Sequence, residues 1–122
     1  MGSYTKTYTP KETVHHEKAV EAAFLEVSRG RRFEEKVPLD IRIIAYYPIP
    51  KSTSKKRRQM MIEHTIRPTV KPDLDNVAKL VYDALNGVAW HDDNAIVDTQ
   101  VRKFYSENPR VDVIIRKVGE AI

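Results

Sequence analysis

Lys71 to Lys79 reads KPDLDNVAK, with two carboxylates two residues apart just after a proline and a lysine four residues beyond the second. Asp73 and Asp75 at the start of a helix have an ordinary use. Aspartate is a favoured N-cap, and a second acid in the first turn complements the positive end of the helix dipole. Capping needs only one acid, however. Two hard oxygen donors at one helix start, joined by a third from elsewhere, suit Mg²⁺, which takes carboxylates, waters and phosphate oxygens in octahedral geometry. Asp92 and Asp93, in the polar turn AWHDDN after the helix, are candidates for that third donor. Lys79 lies one turn beyond Asp75 on the same side, where an exposed i,i+4 ion pair by itself adds only about 0.3–0.5 kcal/mol. The pattern therefore has two readings: a capped, solvated helix start, or a carboxylate cation site with a lysine beside it.

The charge is unevenly spread. The net charge is +4, yet the stretch from Lys51 to Lys71 carries Lys51, Lys55, Lys56, Arg57, Arg58, Arg67 and Lys71 against Glu63 alone, while the rest of the chain has 14 basic and 16 acidic residues. A basic surplus confined to one segment is a candidate contact for a polyanion, with a solvated surface loop as the plainer alternative. Beside such a segment, clustered acids are best neutralised by a hard cation.

Other chemistries find less support. The chain has no cysteine, which removes disulfides and thiolate-bound zinc and fits a reducing compartment. His15-His16 falls on a helix without an obvious third ligand, and His64 and His91 are isolated. There is no nucleophile elbow, and four glycines form no phosphate-cradling loop. No apolar run approaches the roughly 18 residues that span a bilayer, and MGSYTKTYTP has no signal-peptide core. The expectation is a cytoplasmic protein with no membrane partner.

The elements that must position these residues follow from pattern. Thr9-Pro10-Lys11-Glu12 is a helix start with a capping box, and His16, Val20, Ala23, Phe24 and Val27 form the inward stripe, closed near Arg29 by Gly30. Pro38 to Tyr47 alternates as a strand with Leu39, Ile41, Ile43 and Ala45 on one face. A short helix can begin near Ser54, with Met60 and Met61 against the body, and residues 65–72 read as exposed loop. Asp73 to Asn86 is the clearest helix, lined by Val77, Leu80, Val81, Ala84 and Val88, with Gly87 where a left-handed cap belongs. Ile96 to Tyr105 and Arg110 to Val118 alternate as two strands joined by SENP, which predicts an antiparallel hairpin. Its faces, Val97, Thr99 and Val101 or Ile96 and Phe104, serve either core or subunit interface, and Trp90 is expected to pack rather than stack on a base. The fold expected is α+β: a single domain over residues 1–122, with a mixed or antiparallel sheet and a C-terminal hairpin packed by two main helices.

The residues KPDLDNVAKLVYDALNGVAWHDDNAIV resemble the signature of RusA-type Holliday junction resolvases, small bacterial and prophage endodeoxyribonucleases. The likeness extends upstream through YTPKETVHHEKAV and downstream through VRKFYSENPRVDVII, from Tyr8 to about Ile115. It implies a homodimer that binds four-way DNA junctions in recombination and repair and cuts two opposed strands with Mg²⁺ or Mn²⁺. By motif position it implies that Asp73, Asp75 and Asp93 are metal ligands, with Asp92 either a ligand or a neighbour of one, and that Lys79 is the catalytic lysine. The basic residues of the 51–72 loop would contact phosphates. Family members usually open on a strand; here that strand is expected to be absent, with residues 1–8 a truncated or non-native start. The rival readings are a non-catalytic DNA-binding module, a metal nuclease acting on other branched DNA, and an interaction protein whose acids only cap and solubilise.

Overall fold

A computed structural model describes residues 4–8 and 17–119. In chain order the elements are β1 (Tyr4–Tyr8), α1 (Glu17–Ser28), β2 (Leu39–Pro48), α2 (Lys55–Ile62), α3 (Leu74–Leu85), β3 (Ile96–Ser106) and β4 (Arg110–Lys117). A single turn of 3₁₀ helix at Asp93–Ala95 leads into β3. The helix start read at Thr9 to Glu12 lies outside the described residues.

Among the described residues the sheet has four strands in the order β1-β4-β2-β3, with β2 parallel to β3 and antiparallel to β4. This corrects two expectations. The chain does open on a strand: Tyr4–Tyr8 pairs antiparallel with β4, Tyr4 opposite Ile115 and Tyr8 opposite Val111. Residues 4–8 are therefore part of the sheet. The C-terminal strands, moreover, form no hairpin, because β2 lies between them.

The reason is burial. Leu39, Ile41, Ile43 and Ala45 are almost wholly buried, and Asp40 on the opposite face is buried as well. A strand this enclosed needs ladder partners for its backbone on both edges. β3 is suited to an edge, since Val97 to Gln100 are exposed. The linker Glu107-Asn108-Pro109 carries the chain past the end of β2 instead of turning it back on β3. Alternation and a short polar turn fit both topologies, so the pattern alone could not separate them.

The odd-numbered face of β2 and β4 meets the helices. Val20 and Phe24 of α1 join Val77, Val81, Ala84 and Leu85 of α3 in one core with Ile41, Ile43, Val113, Ile115 and Trp90. Val27, placed in the inward stripe, is exposed, and Ser28 takes the buried place one residue on. On the other face Asp40 stands opposite Arg116 and accepts from its Nε at 2.9 Å, with Nη2 at 2.8 Å. Both guanidinium nitrogens converge on one oxygen, Oδ2, in a charge-assisted cross-strand pair that supports the buried carboxylate. α1 ends where Arg29 and Gly30 turn left-handed, and α3 ends before Gly87 at φ +78°.

Candidate active site

Asp73 is the N-cap of α3, with extended backbone, and its carbonyl accepts the first helical bond from Val77 N at 3.1 Å. Its carboxylate makes no cap hydrogen bond. The ordinary use of an N-cap aspartate is thus not realised, and the charge is left facing solvent at the helix start. Asp75, in the first turn, is exposed and accepts from Asn76 N at 3.0 Å through Oδ1.

Tyr47, at the end of β2, reaches this helix start. Its ring is buried and its hydroxyl donates to the carbonyl of Pro72, the residue before Asp73. Burial, then the Asp73 carboxylate, push the phenol up to about 12. Two further contacts fix the approach. Lys103 Nζ donates to Val70 O at 2.6 Å and lies 4.9 Å from the Tyr47 ring centre, and Arg67 Nε donates to Lys103 O at 2.9 Å.

Lys79 is fully exposed and bonded to Asp83 at 2.7 Å, which raises its pKa through that hydrogen bond and the neighbouring charge. Asp75 and Asp83 lie one turn to either side of Lys79, and the lysine pairs with Asp83.

Asp93 is held elsewhere. Its Oδ1 accepts from Trp90 Nε1 at 2.7 Å, and the Trp90 ring is completely buried. Trp90 packs, as expected, and also orients a candidate ligand. Asp92 is exposed and lines a surface cavity of about 310 Å³ with Glu34, Glu35, Lys36, His91 and Asn94, where His91 Nδ1 sits 3.3 Å from Glu35.

The register sets these acids far apart. β3 begins three residues after Asp93, with Ile96 beside Leu39 at one end of β2, whereas Pro72 is bonded to Tyr47 at the other. Leu39 and Tyr47 are separated by eight strand residues, roughly 26 Å at about 3.3 Å each. Helix α3, about 18 Å long, runs along most of that distance. Among the described residues, no three His, Asp or Glu side chains gather to hold a metal ion. The donors still fit Mg²⁺ by chemistry, being carboxylates with free oxygens, but Asp93 does not join Asp73 and Asp75 within one chain.

The basic segment resolves into helix and loop. Ser54 caps α2, accepting from Arg57 N at 3.3 Å, and buried Met61 anchors the helix. Lys51, Lys55, Lys56, Arg57 and Lys71 are exposed. Arg58 is 3.5 Å from Glu107, and the Arg67 guanidinium lies 4.2 Å from the Phe104 ring centre. Those two are engaged by the protein itself. The sequence reading missed Tyr47 and Lys103, whose contacts join residues 25 and 33 positions apart. The Trp90 contact was nearer to legible, since W-x-D-D spaces donor and acceptor by one turn.

The family model described as Endodeoxyribonuclease RusA matches residues 2–116, and the chain belongs to that family. It is also 48% identical over 84 residues to a Bacillus subtilis (strain 168) protein called "Uncharacterized protein YqaN". That match covers 67% of this chain and 59% of the relative's length. Among the described residues, no helix is long and apolar enough to cross a membrane.

Proposed function

We propose that the protein is a Mg²⁺-dependent endonuclease, with Mn²⁺ a substitute, that resolves four-way DNA junctions in recombination and repair by paired, symmetric phosphodiester hydrolysis. The observation that carries this is Asp73. It occupies an N-cap, makes no cap bond, and leaves its charge exposed two residues before Asp75, with the lysine- and arginine-rich helix α2 preceding it in the chain. Capping alone does not account for that carboxylate.

Asp73, Asp75 and Asp93 would hold the ion, which supplies Lewis-acid polarisation of the scissile phosphate and lowers the pKa of bound water. Water attacks phosphorus in line and gives up a proton to solvent as the new P–O bond forms; the opposite P–O bond breaks, and the leaving oxygen takes a proton from solvent. Lys79 counters charge developing on the phosphate oxygens once it releases Asp83, its exposed and solvent-screened partner. Lys55, Lys56 and Arg57 hold backbone phosphates, with Lys51 and Lys71 at the margins.

The separation of Asp93 from Asp73 and Asp75 favours a homodimer. A two-fold axis that sets α3 of one protomer against the opposite end of its partner's α3 brings Asp93 of each to the paired acids of the other. Two equivalent sites then face two opposed strands of a junction, itself approximately two-fold.

The test is cleavage of a mobile four-way junction against linear duplex of the same sequence, with and without Mg²⁺. Paired cuts in the junction alone are expected, lost in Asp75→Asn while junction binding survives. Mixing Asp75→Asn with Asp93→Asn restores one intact site per mixed dimer, so nicking of one strand is expected. Binding without cutting by the parent protein favours a DNA-binding module, and equal cutting of flaps favours a nuclease of broader target.

A further inference from the structure

We propose that Tyr47 is a positioning residue for Asp73, holding the carboxylate where it can serve as a ligand by fastening the chain one residue before it. The inference rests on the reading of Asp73 as a metal ligand.

An N-cap whose side chain does not bond to its own helix has no local restraint on its direction. The restraint here is applied to the backbone. Pro72 O accepts from Tyr47, and the Tyr47 ring is clamped in the core at the end of the central strand. Two residues earlier, Val70 O accepts from Lys103 Nζ at 2.6 Å, and the same ammonium faces the Tyr47 ring. The approach to α3 is thereby tied to β2 and β3 at two carbonyls. Its exposed side chains, Val70, Lys71 and Asp73, stay in solvent. Core packing alone would be served by phenylalanine. Among the described residues, the hydrogen bond of the hydroxyl is this fastening.

Tyr47→Phe removes that one oxygen. Three quantities are read on the full chain: Mn²⁺ affinity by electron paramagnetic resonance without DNA, the single-turnover cleavage rate of bound junction at fixed Mn²⁺, and junction affinity in EDTA. Residues that orient a ligand commonly contribute about tenfold or more to metal affinity, so a loss of about tenfold in Mn²⁺ affinity is expected. The cleavage rate should fall with it and recover as Mn²⁺ is raised, while junction affinity in EDTA stays unchanged. A purely structural role would lower stability without moving the Mn²⁺ dependence, and unchanged Mn²⁺ affinity overturns the proposal. Lys103→Met, which keeps the aliphatic stem and loses the bond to Val70, is expected to shift Mn²⁺ affinity in the same direction. It decides the matter if Tyr47→Phe fails to fold. A parent protein that neither binds Mn²⁺ nor cuts defeats the ligand reading itself. Normal parent binding with an indifferent Tyr47→Phe defeats only the positioning.

Discussion

Replacing Trp90 by phenylalanine separates two roles that meet in one side chain. The indole is fully buried, and its Nε1 donates to Asp93 Oδ1 at 2.7 Å. Phenylalanine keeps most of the apolar burial but removes the donor and leaves a void. A hydrogen bond to a charged group is worth about 1.5–3 kcal/mol, and the half-buried Asp93 can recover part of it from water. The void, at about 24 cal/mol per Å³, adds about 1 kcal/mol. The expected loss is therefore about 2–3 kcal/mol, or a fall of about 1–2 M in the urea midpoint for a domain of this size. Trp90 is the single tryptophan, so far-UV circular dichroism must follow unfolding in place of indole fluorescence. Asp93→Asn keeps an oxygen acceptor without the charge. A double-mutant cycle with Trp90→Phe should give a coupling of about 1 kcal/mol. Destabilisation below about 1 kcal/mol, or a coupling of zero, would refute the view that the buried ring orients the carboxylate.

Two other predictions concern charge. In the fold the Tyr47 phenol is pushed up to about 12 from an ordinary value of 10.0, so above pH 10 the unfolded chain releases a proton that the fold retains. Stability should fall by about 1–2 kcal/mol as pH rises from 10 to 12, and denaturation across that range should show this component missing in Tyr47→Phe. For DNA, replacing Lys55, Lys56 and Arg57 together by alanine should flatten the dependence of log affinity on log salt by about 2 to 3, at about 0.9 per phosphate contact. Arg67→Ala should leave that slope alone and lower the unfolding midpoint, because its guanidinium packs on Phe104 and its Nε is bonded to Lys103 O.

The candidate ligands and the lysine stood out in the sequence because their signals are local. Asp73 and Asp75 after a proline, Lys79 one turn on, and the paired acids after Trp90 are spacings along the chain, and a 3.6-residue period with Gly87 beyond it delimits α3. The strand Leu39 to Tyr47 and the short helix after Ser54 were readable for the same reason. Alternation gives which side chains share a face, but the partner of a strand depends on the burial of every other strand. So β2 came between β3 and β4, where two alternating runs and a short turn spelled a hairpin. The β1 edge strand escaped notice because five residues paired on one side leave little pattern.

What only the tertiary structure decided is distance. Parallel pairing of β2 with β3 sends the chain back along the full length of α3 between the first acids and Asp93. Motif neighbours twenty residues apart in sequence thus stand at opposite ends of a helix. The same register brings Tyr47 and Lys103 to the carbonyls before Asp73, contacts that no spacing rule encodes. Sequence alone determined which groups could do the chemistry. Long-range strand pairing, driven by the burial of β2, determined where each of them stands.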